Sequence, residues 1–196
     1  MTGAAAIDLT GRLERTGALL GGHFQLSSGL HSNRYIQCAK LLSHPRDAEA
    51  AGAALAEALV ETLGGKPDVV IGPALGGVII AHEVARALDV PCFFAERKDG
   101  EMTMRRGFAL EPGQKTVIVE DVVTTGGSVK EVVEVVTAQG ASVEAIGSIV
   151  CRRPESPFDQ PYVALLTLQV EAWEPEGCPM CAEGSPAVKP GSRPGA

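Results

Sequence analysis

Val117-Ile118-Val119-Glu120-Asp121-Val122-Val123-Thr124-Thr125-Gly126-Gly127-Ser128 is the stretch that decides the fold. With Thr116 before it, the first part is an unbroken β-branched run, the pattern of a strand buried on both faces in a parallel sheet. Two adjacent carboxylates follow, and then a short turn made of hydroxyls and glycines that opens a helix. Backbone N–H groups of such a turn, together with the helix N-terminus, form a cradle for an anion, and the Thr and Ser hydroxyls add donors. Two acids placed directly before a phosphate cradle would repel a phosphate unless they bind something else. Vicinal sugar hydroxyls, or a metal carried on a diphosphate, are their natural partners.

Working outward, the periodicity alternates between helix and strand. Ile7, Leu9, Leu13, Leu19 and Leu20 predict a short N-terminal helix stopped by Gly21-Gly22. Residues His23 to Gln37 read as strand, loop and strand. Arg46 to Leu63 is an Ala-rich helix ending at Gly64-Gly65. Asp68 to Ile71 is a short buried strand, Gly77 or Val78 to Leu88 a helix, and Pro91 to Ala95 a strand. Glu96 to Arg106 is polar, charged and aperiodic, and reads as a loop. Glu111-Pro112-Gly113-Gln114 turns the chain into the deciding strand. Gly127 to Gln139 is a helix, and Val143 to Cys151 and Val163 to Val170 are strands. From Glu174 onward Pro, Gly and Ser predict an irregular tail. This order predicts an α/β fold with a doubly wound, mainly parallel sheet. Residues 1–45 form an N-terminal helix and hood, 46–173 the core, and 174–196 the tail. In such sheets ligands bind beyond the carboxyl ends of the strands, so the loops after Ile71, Ala95, Val119 and Val150 converge on one site.

The chain has 196 residues, a size expected to fold as one core with appendages and without disulfides. Hydrophobic residues are 45% and aromatics 4%, which excludes collagen, coiled coil and wholesale disorder in favour of a small-residue aliphatic core. The formal net charge of −7 offers no global field for nucleic acid or an anionic membrane, so neither is expected as a partner. Five cysteines, Cys38, Cys92, Cys151, Cys178 and Cys181, are an odd and scattered set, as in a reduced cytoplasmic protein. The charges at Asp8, Arg12, Glu14 and Arg15 interrupt any apolar leader, and the longest uncharged apolar stretch, Val69 to Ala81, is too short to span a bilayer. No Gly-x-x-x-x-Gly-Lys-Ser/Thr or Gly-x-Gly-x-x-Gly occurs, which removes residue support for a kinase or dinucleotide reading.

The hydrophobic run, acid pair, two further hydrophobics and Thr-x-Gly-x-Ser resemble the ribose-5-phosphate signature of the type I phosphoribosyltransferases. Three more segments resemble the orotate-specific branch of that family. Gly22 to Gly29 with Ser32 is similar to its N-terminal substrate segment, Gly72-Pro73-Ala74-Leu75-Gly76-Gly77 to its pyrophosphate loop, and Arg97 to Gly107 to its catalytic loop. The resemblance implies transfer of ribose 5-phosphate from 5-phosphoribosyl 1-diphosphate (PRPP) to orotate, with Mg2+ held mainly by PRPP and by no side chain directly, in a homodimer. It implies PRPP binding by Pro73, Ala74, Leu75, Gly76, Gly77, Arg97, Lys98, Glu120, Asp121, Val122, Val123, Thr124, Thr125, Gly126, Gly127 and Ser128. Catalytic roles fall to Glu120, Asp121, Lys98 and Arg105, and orotate contacts to Thr124, Arg152, Phe24, Ser27 and Tyr35. Members commonly carry a further Lys and a His inside the catalytic loop; here Arg105 and Arg106 are the only later cations. Ser27 likewise stands where many members have lysine.

Two other readings share the cradle. A purine phosphoribosyltransferase leaves Arg152 and Phe24 to Gly29 without purpose, and a PRPP-sensing regulator that binds RNA or DNA conflicts with the acidic charge. His23, His31, His44 and His82 have no common spacing and read as surface or core residues. Cys178-Pro179-Met180-Cys181 is one CxxC without a second pair, an incomplete zinc set, and reads as inert tail thiols.

Overall fold

The computed structural model describes residues 7–26 and 28–190. Helix α1 (Leu9–Arg15) is followed by strands β1 (Leu19–Gln25) and β2 (His31–Ile36), and then by helices α2 (Cys38–Leu42) and α3 (Pro45–Leu63). The core continues as β3 (Val69–Pro73), α4 (Gly76–Leu88), β4 (Cys92–Lys98), β5 (Glu101–Met104), β6 (Lys115–Val123), α5 (Gly127–Ala138), β7 (Ser142–Cys151) and β8 (Tyr162–Thr167). Strand β9 (Ala172–Trp173), a 3-10 turn at Pro175–Gly177 and a one-turn helix α6 (Pro179–Ala182) close the order. None of the described helices is long and apolar enough to cross a membrane.

The central sheet has the order β5-β4-β3-β6-β7-β8, with every neighbouring pair parallel except the β4–β5 edge. Its middle strand, β6, is the one whose β-branched run predicts burial on both faces, and Val117, Ile118 and Val119 are fully buried. One face packs Leu55 and Leu59 of α3 with Ile80 and Val84 of α4; the other packs Val129, Val132 and Val136 of α5. The mainly parallel α/β sheet is therefore as the sequence predicts. A separate three-stranded sheet, β1-β2-β9, forms the hood.

Three local expectations are corrected. The N-terminal helix ends at Thr16 rather than at Gly21-Gly22, because Gly17 takes the left-handed conformation (φ 67°) that stops it. Leu19, Leu20 and both glycines then belong to β1, where a register shift lies between Gly21 and Phe24. The expected loop from Glu96 to Arg106 is largely a hairpin, since Asp99 (φ 54°) and Gly100 (φ 90°) form the two-residue turn that Asp-Gly favours. The tail is not irregular throughout: Pro175–Gly177 is a 3-10 turn, Pro179–Ala182 a helical turn, and Val188 bridges to Phe24.

Candidate active site

Strand β6 ends at Val123, and α5 begins four residues later, after Gly126 in the left-handed conformation (φ 79°). A side chain at Gly126 would also collide with the Phe158 ring, 2.6 Å from the position of its first carbon. Glycine is thus required twice over for the turn that aims the first amides of α5 outward. The cavity in front of these amides is about 260 Å³, and is lined by Arg97, Glu120, Val122, Val123 and the whole of Thr124 to Val129.

Glu120 lines the start of this cavity and Asp121 follows it in β6, both half-buried. The Asp121 amide donates to Glu120 Oε1 at 3.0 Å, and the Val122 amide donates to Asp121 Oδ1 at 2.8 Å. Among the described residues neither carboxylate forms an ion pair. Burial, and next the charge of Asp121, push the Glu120 carboxyl up to about 8. Cys38, buried at the start of α2, is driven far above the ordinary thiol range by burial and then by Asp121 and Glu120, so it is no thiolate nucleophile.

The glycine turn after β3 packs directly on the acid pair. A first side-chain carbon at Gly76 would lie 2.7 Å from Asp121 Oδ1, and one at Gly77 would lie 2.8 Å from the Val119 carbonyl and 3.1 Å from Glu120 Oε1. The Ala74 amide donates to the Ala95 carbonyl at 2.7 Å, which ties the turn to β4. Pro73 is buried at the end of β3, and Leu75 stands 88% exposed.

Arg97 reaches the cavity edge from β4 while held by Glu131 of α5, at 2.7 Å and 2.6 Å through its two terminal nitrogens. Glu131 was not among the expected site residues; it lies one turn into α5 from Gly127, a spacing that helix geometry makes legible only once Arg97 is placed beside that helix. Lys98, at the exposed end of β4, and Arg105, 3.5 Å from Glu96, do not line the cavity. Arg106 pairs with the same Glu96 at 3.1 Å.

Arg152 follows β7, and its amide donates to the Val123 carbonyl at 2.9 Å, so its backbone is fixed beside the cradle. Its side chain forms no ion pair among the described residues, and burial lowers its pKa. Phe24 and Tyr35 sit together on the hood, ring centroids 5.8 Å apart. Ser27 lies outside the described residues. The structure thus joins the glycine turn after β3, the acid pair, the turn before α5 and Arg97, and sets Arg152 next to them.

One spatial relation is absent from the sequence reading. His23, His31, Cys178 and Cys181, which sequence spacing leaves unrelated, form a single cluster with ligand atoms within 4.8 Å of one another. Their separation of about 150 residues, bridged by the returning tail, hides the cluster from any spacing rule.

The profile described as phosphoribosyl transferase domain matches residues 39–180. An orotate phosphoribosyltransferase of Heliobacterium modesticaldum is 54% identical over 177 residues, 90% of this chain and 92% of that one. One of Thermotoga maritima is 50% identical over 182 residues, covering 92% and 96%. The crystal structure of orotate phosphoribosyltransferase from Aeropyrum pernix superimposes with a TM-score of 0.68 at 29% identity, covering 82% of this chain and 94% of that chain. With the acid pair, the cradle and the pyrophosphate turn assembled in one place, these likenesses establish that the chain belongs to the phosphoribosyltransferases and, within them, to the orotate phosphoribosyltransferase family.

Proposed function

We propose that the chain transfers ribose 5-phosphate from PRPP to N1 of orotate, giving orotidine 5′-monophosphate and pyrophosphate in pyrimidine biosynthesis. The observation that carries the choice of base is Arg152: a guanidinium in a partly buried setting, unpaired by any described acid, anchored to the strand end that opens the phosphate cradle. A planar fork of donors suits the orotate carboxylate, and neutral bases leave it unused.

The bond from C1 to the diphosphate oxygen breaks as orotate N1 approaches the opposite face, and the sugar carries oxocarbenium character between the two events. Little covalent work falls to the protein; positioning and charge stabilisation dominate. Glu120 and Asp121 accept from the ribose hydroxyls, and ionised Glu120 is the better acceptor. The amides and hydroxyls of Thr124, Thr125, Gly126, Gly127 and Ser128 hold the 5-phosphate, with Val122 and Val123 setting the strand end. The backbone from Pro73 through Ala74 and Leu75 to Gly76 and Gly77 takes the diphosphate. Arg97, Lys98 and Arg105 close over it and exclude water, with Arg97 exchanging Glu131 for a diphosphate oxygen. Thr124, Phe24, Ser27 and Tyr35 complete the orotate contacts around Arg152.

The residues fit a Mg2+ ion that arrives on the diphosphate. The groups facing the glycine turn are carboxylate and carbonyl oxygens, donors that suit a hard cation, and no described cation already neutralises them. When bound, the ion would offset charge on the departing diphosphate. A homodimer belongs to the same reading. Leu75 (88% exposed) and Ile79 (47% exposed) lie one turn apart at the start of α4 and offer an apolar face beside the site. Five unbridged cysteines support a cytoplasmic setting.

The test is product identification by mass after incubation with PRPP, Mg2+ and an equimolar mixture of orotate, uracil and hypoxanthine. Orotidine 5′-monophosphate alone supports the reading; a uridine or inosine monophosphate as the main product overturns it.

A further inference from the structure

We infer that His23, His31, Cys178 and Cys181 form a structural zinc site that clasps the C-terminal segment onto the hood. The ligand atoms already surround a common point. His23 Nε2 lies 2.8 Å from His31 Nδ1, 3.5 Å from Cys178 Sγ and 3.7 Å from Cys181 Sγ, and Cys181 Sγ lies 3.2 Å from His31 Nδ1. A tetrahedral ion about 2.0–2.1 Å from nitrogen and about 2.3 Å from sulfur needs ligand separations of about 3.3–3.8 Å. Small side-chain rotations reach that from the observed set.

The architecture around the cluster is built to deliver these four groups. His31 lies opposite Gln25 across the hairpin, His23 sits in the register shift just before it, and the two imidazole rings meet with centroids 4.8 Å apart. The tail then returns twice. Trp173 of β9 pairs with His31, and Val188 forms an isolated bridge beside Phe24, its amide donating to the His23 carbonyl at 2.8 Å and its carbonyl accepting from the Gln25 amide at 2.9 Å. Between these two anchors, Cys178 caps the N-terminus of α6 and Cys181 lies within its single turn, the two-residue spacing that zinc sites use.

The second coordination layer is present as well. His23 Nδ1 lies 2.8 Å from the Ser185 carbonyl, which can only accept. Nδ1 therefore carries the proton, and Nε2 turns its lone pair into the cluster. His23, His31 and Cys178 are buried, so two imidazoles and a thiol have left water for one another. Buried groups of this kind are the ones a metal repays.

Two thiolates and two imidazoles in a closed tetrahedron select Zn2+ and leave no open position, which makes the site structural rather than catalytic. A binuclear iron–sulfur centre sets its thiolates and imidazoles on different irons, and ligand atoms gathered within 4.8 Å leave no space for one. The Mg2+ of the transfer reaction, a hard ion, has no affinity for this soft set.

The experiment uses the full chain, free of affinity tags and purified without chelators from zinc-sufficient medium. Elemental analysis is expected to give one zinc per chain. Removing it with a strong chelator lowers the melting temperature, and Zn2+ but not Mg2+ restores it. Co2+ added to the stripped chain gives the visible bands of a tetrahedral site and thiolate-to-metal charge transfer. Cys181→Ser, the less buried thiol and the least disruptive change, weakens zinc binding at least about tenfold and removes part of the charge-transfer band. A wild-type chain that takes up no stoichiometric Zn2+ when reduced, one whose Cys178 and Cys181 are joined in a disulfide as purified, or one whose zinc is unaffected by Cys181→Ser overturns the proposal. The wild-type measurements stand even if a variant fails to fold.

Discussion

The backbone of Gly76 lies against the carboxylate of Asp121, so close that a first side-chain carbon there would sit 2.7 Å from Oδ1. One glycine thus couples the diphosphate turn to the acid pair. Its neighbour Gly77 meets main chain first, the Val119 carbonyl at 2.8 Å, with the Pro73 ring at 2.9 Å and Glu120 Oε1 at 3.1 Å. The two positions are expected to separate function from stability. Gly76→Ala displaces Asp121 and lowers turnover about tenfold or more while melting like wild type, in the manner of Asp121→Asn. Gly77→Ala, pressed on backbone that cannot yield, costs about 1–3 kcal/mol of stability. Paired melting curves and steady-state rates check this, and equal destabilisation by both variants would contradict it.

Glu120 supplies a pH signature. Its carboxyl is raised from 4.5 to about 8, by burial first and by Asp121 second. The folded chain therefore keeps a proton that the unfolded chain has already released. Stability falls as pH rises from about 4.5 to about 8 and levels off above that. Ribose hydroxyls donate best to the ionised form, so PRPP affinity rises through the same window, by up to about tenfold per pH unit. Glu120→Gln removes both slopes. Titration calorimetry and melting across this range measure them, and identical slopes in the variant would refute the assignment.

Much of this site is legible in the sequence, because its chemistry is local. Val117 to Ser128 carries strand, acids, turn and helix start within twelve residues, and each step has its own residue signature. The hairpin at Asp99-Gly100 was equally local, but the charge of Glu96 to Arg106 outweighed its turn signal. What escaped were relations made by long-range pairing. Glu131 meets Arg97 only because α5 packs on β5, the hairpin partner of β4, and His23 meets Cys178 only because the tail returns over a hairpin whose register no composition reveals.

Arg152 is expected to act on one substrate alone. Arg152→Gln lowers kcat/KM for orotate about 10- to 100-fold, the loss of one charge-assisted interaction, and leaves PRPP affinity unchanged. Initial rates with each substrate varied in turn decide it. An equal loss toward both would place Arg152 in the scaffold rather than at the base.

Asp47 governs acid stability far from the chemistry. It is buried in the first turn of α3 and accepts from Arg12 and Arg15 of α1, the latter at 2.9 Å. Burial opposes its ionisation, yet the two guanidiniums outweigh burial and hold its pKa below the ordinary 3.8. The contribution is present above the ordinary value and is lost as pH falls through the lowered one. Asp47→Asn costs about 1–2 kcal/mol at neutral pH, discounted for the partly exposed arginines, and flattens the acid limb of the stability curve. Urea melts between pH 2 and 7 measure it, and an unchanged acid limb would show that the α1–α3 link carries no such weight.

The most direct test of the account is the ultraviolet absorbance of orotate after PRPP and Mg2+ are added to the purified chain. Steady loss of that absorbance, with orotidine 5′-monophosphate and pyrophosphate formed in equal amounts and turnover lowered about tenfold or more in Asp121→Asn, is the predicted result. Constant absorbance from a folded chain that binds PRPP tightly would contradict it.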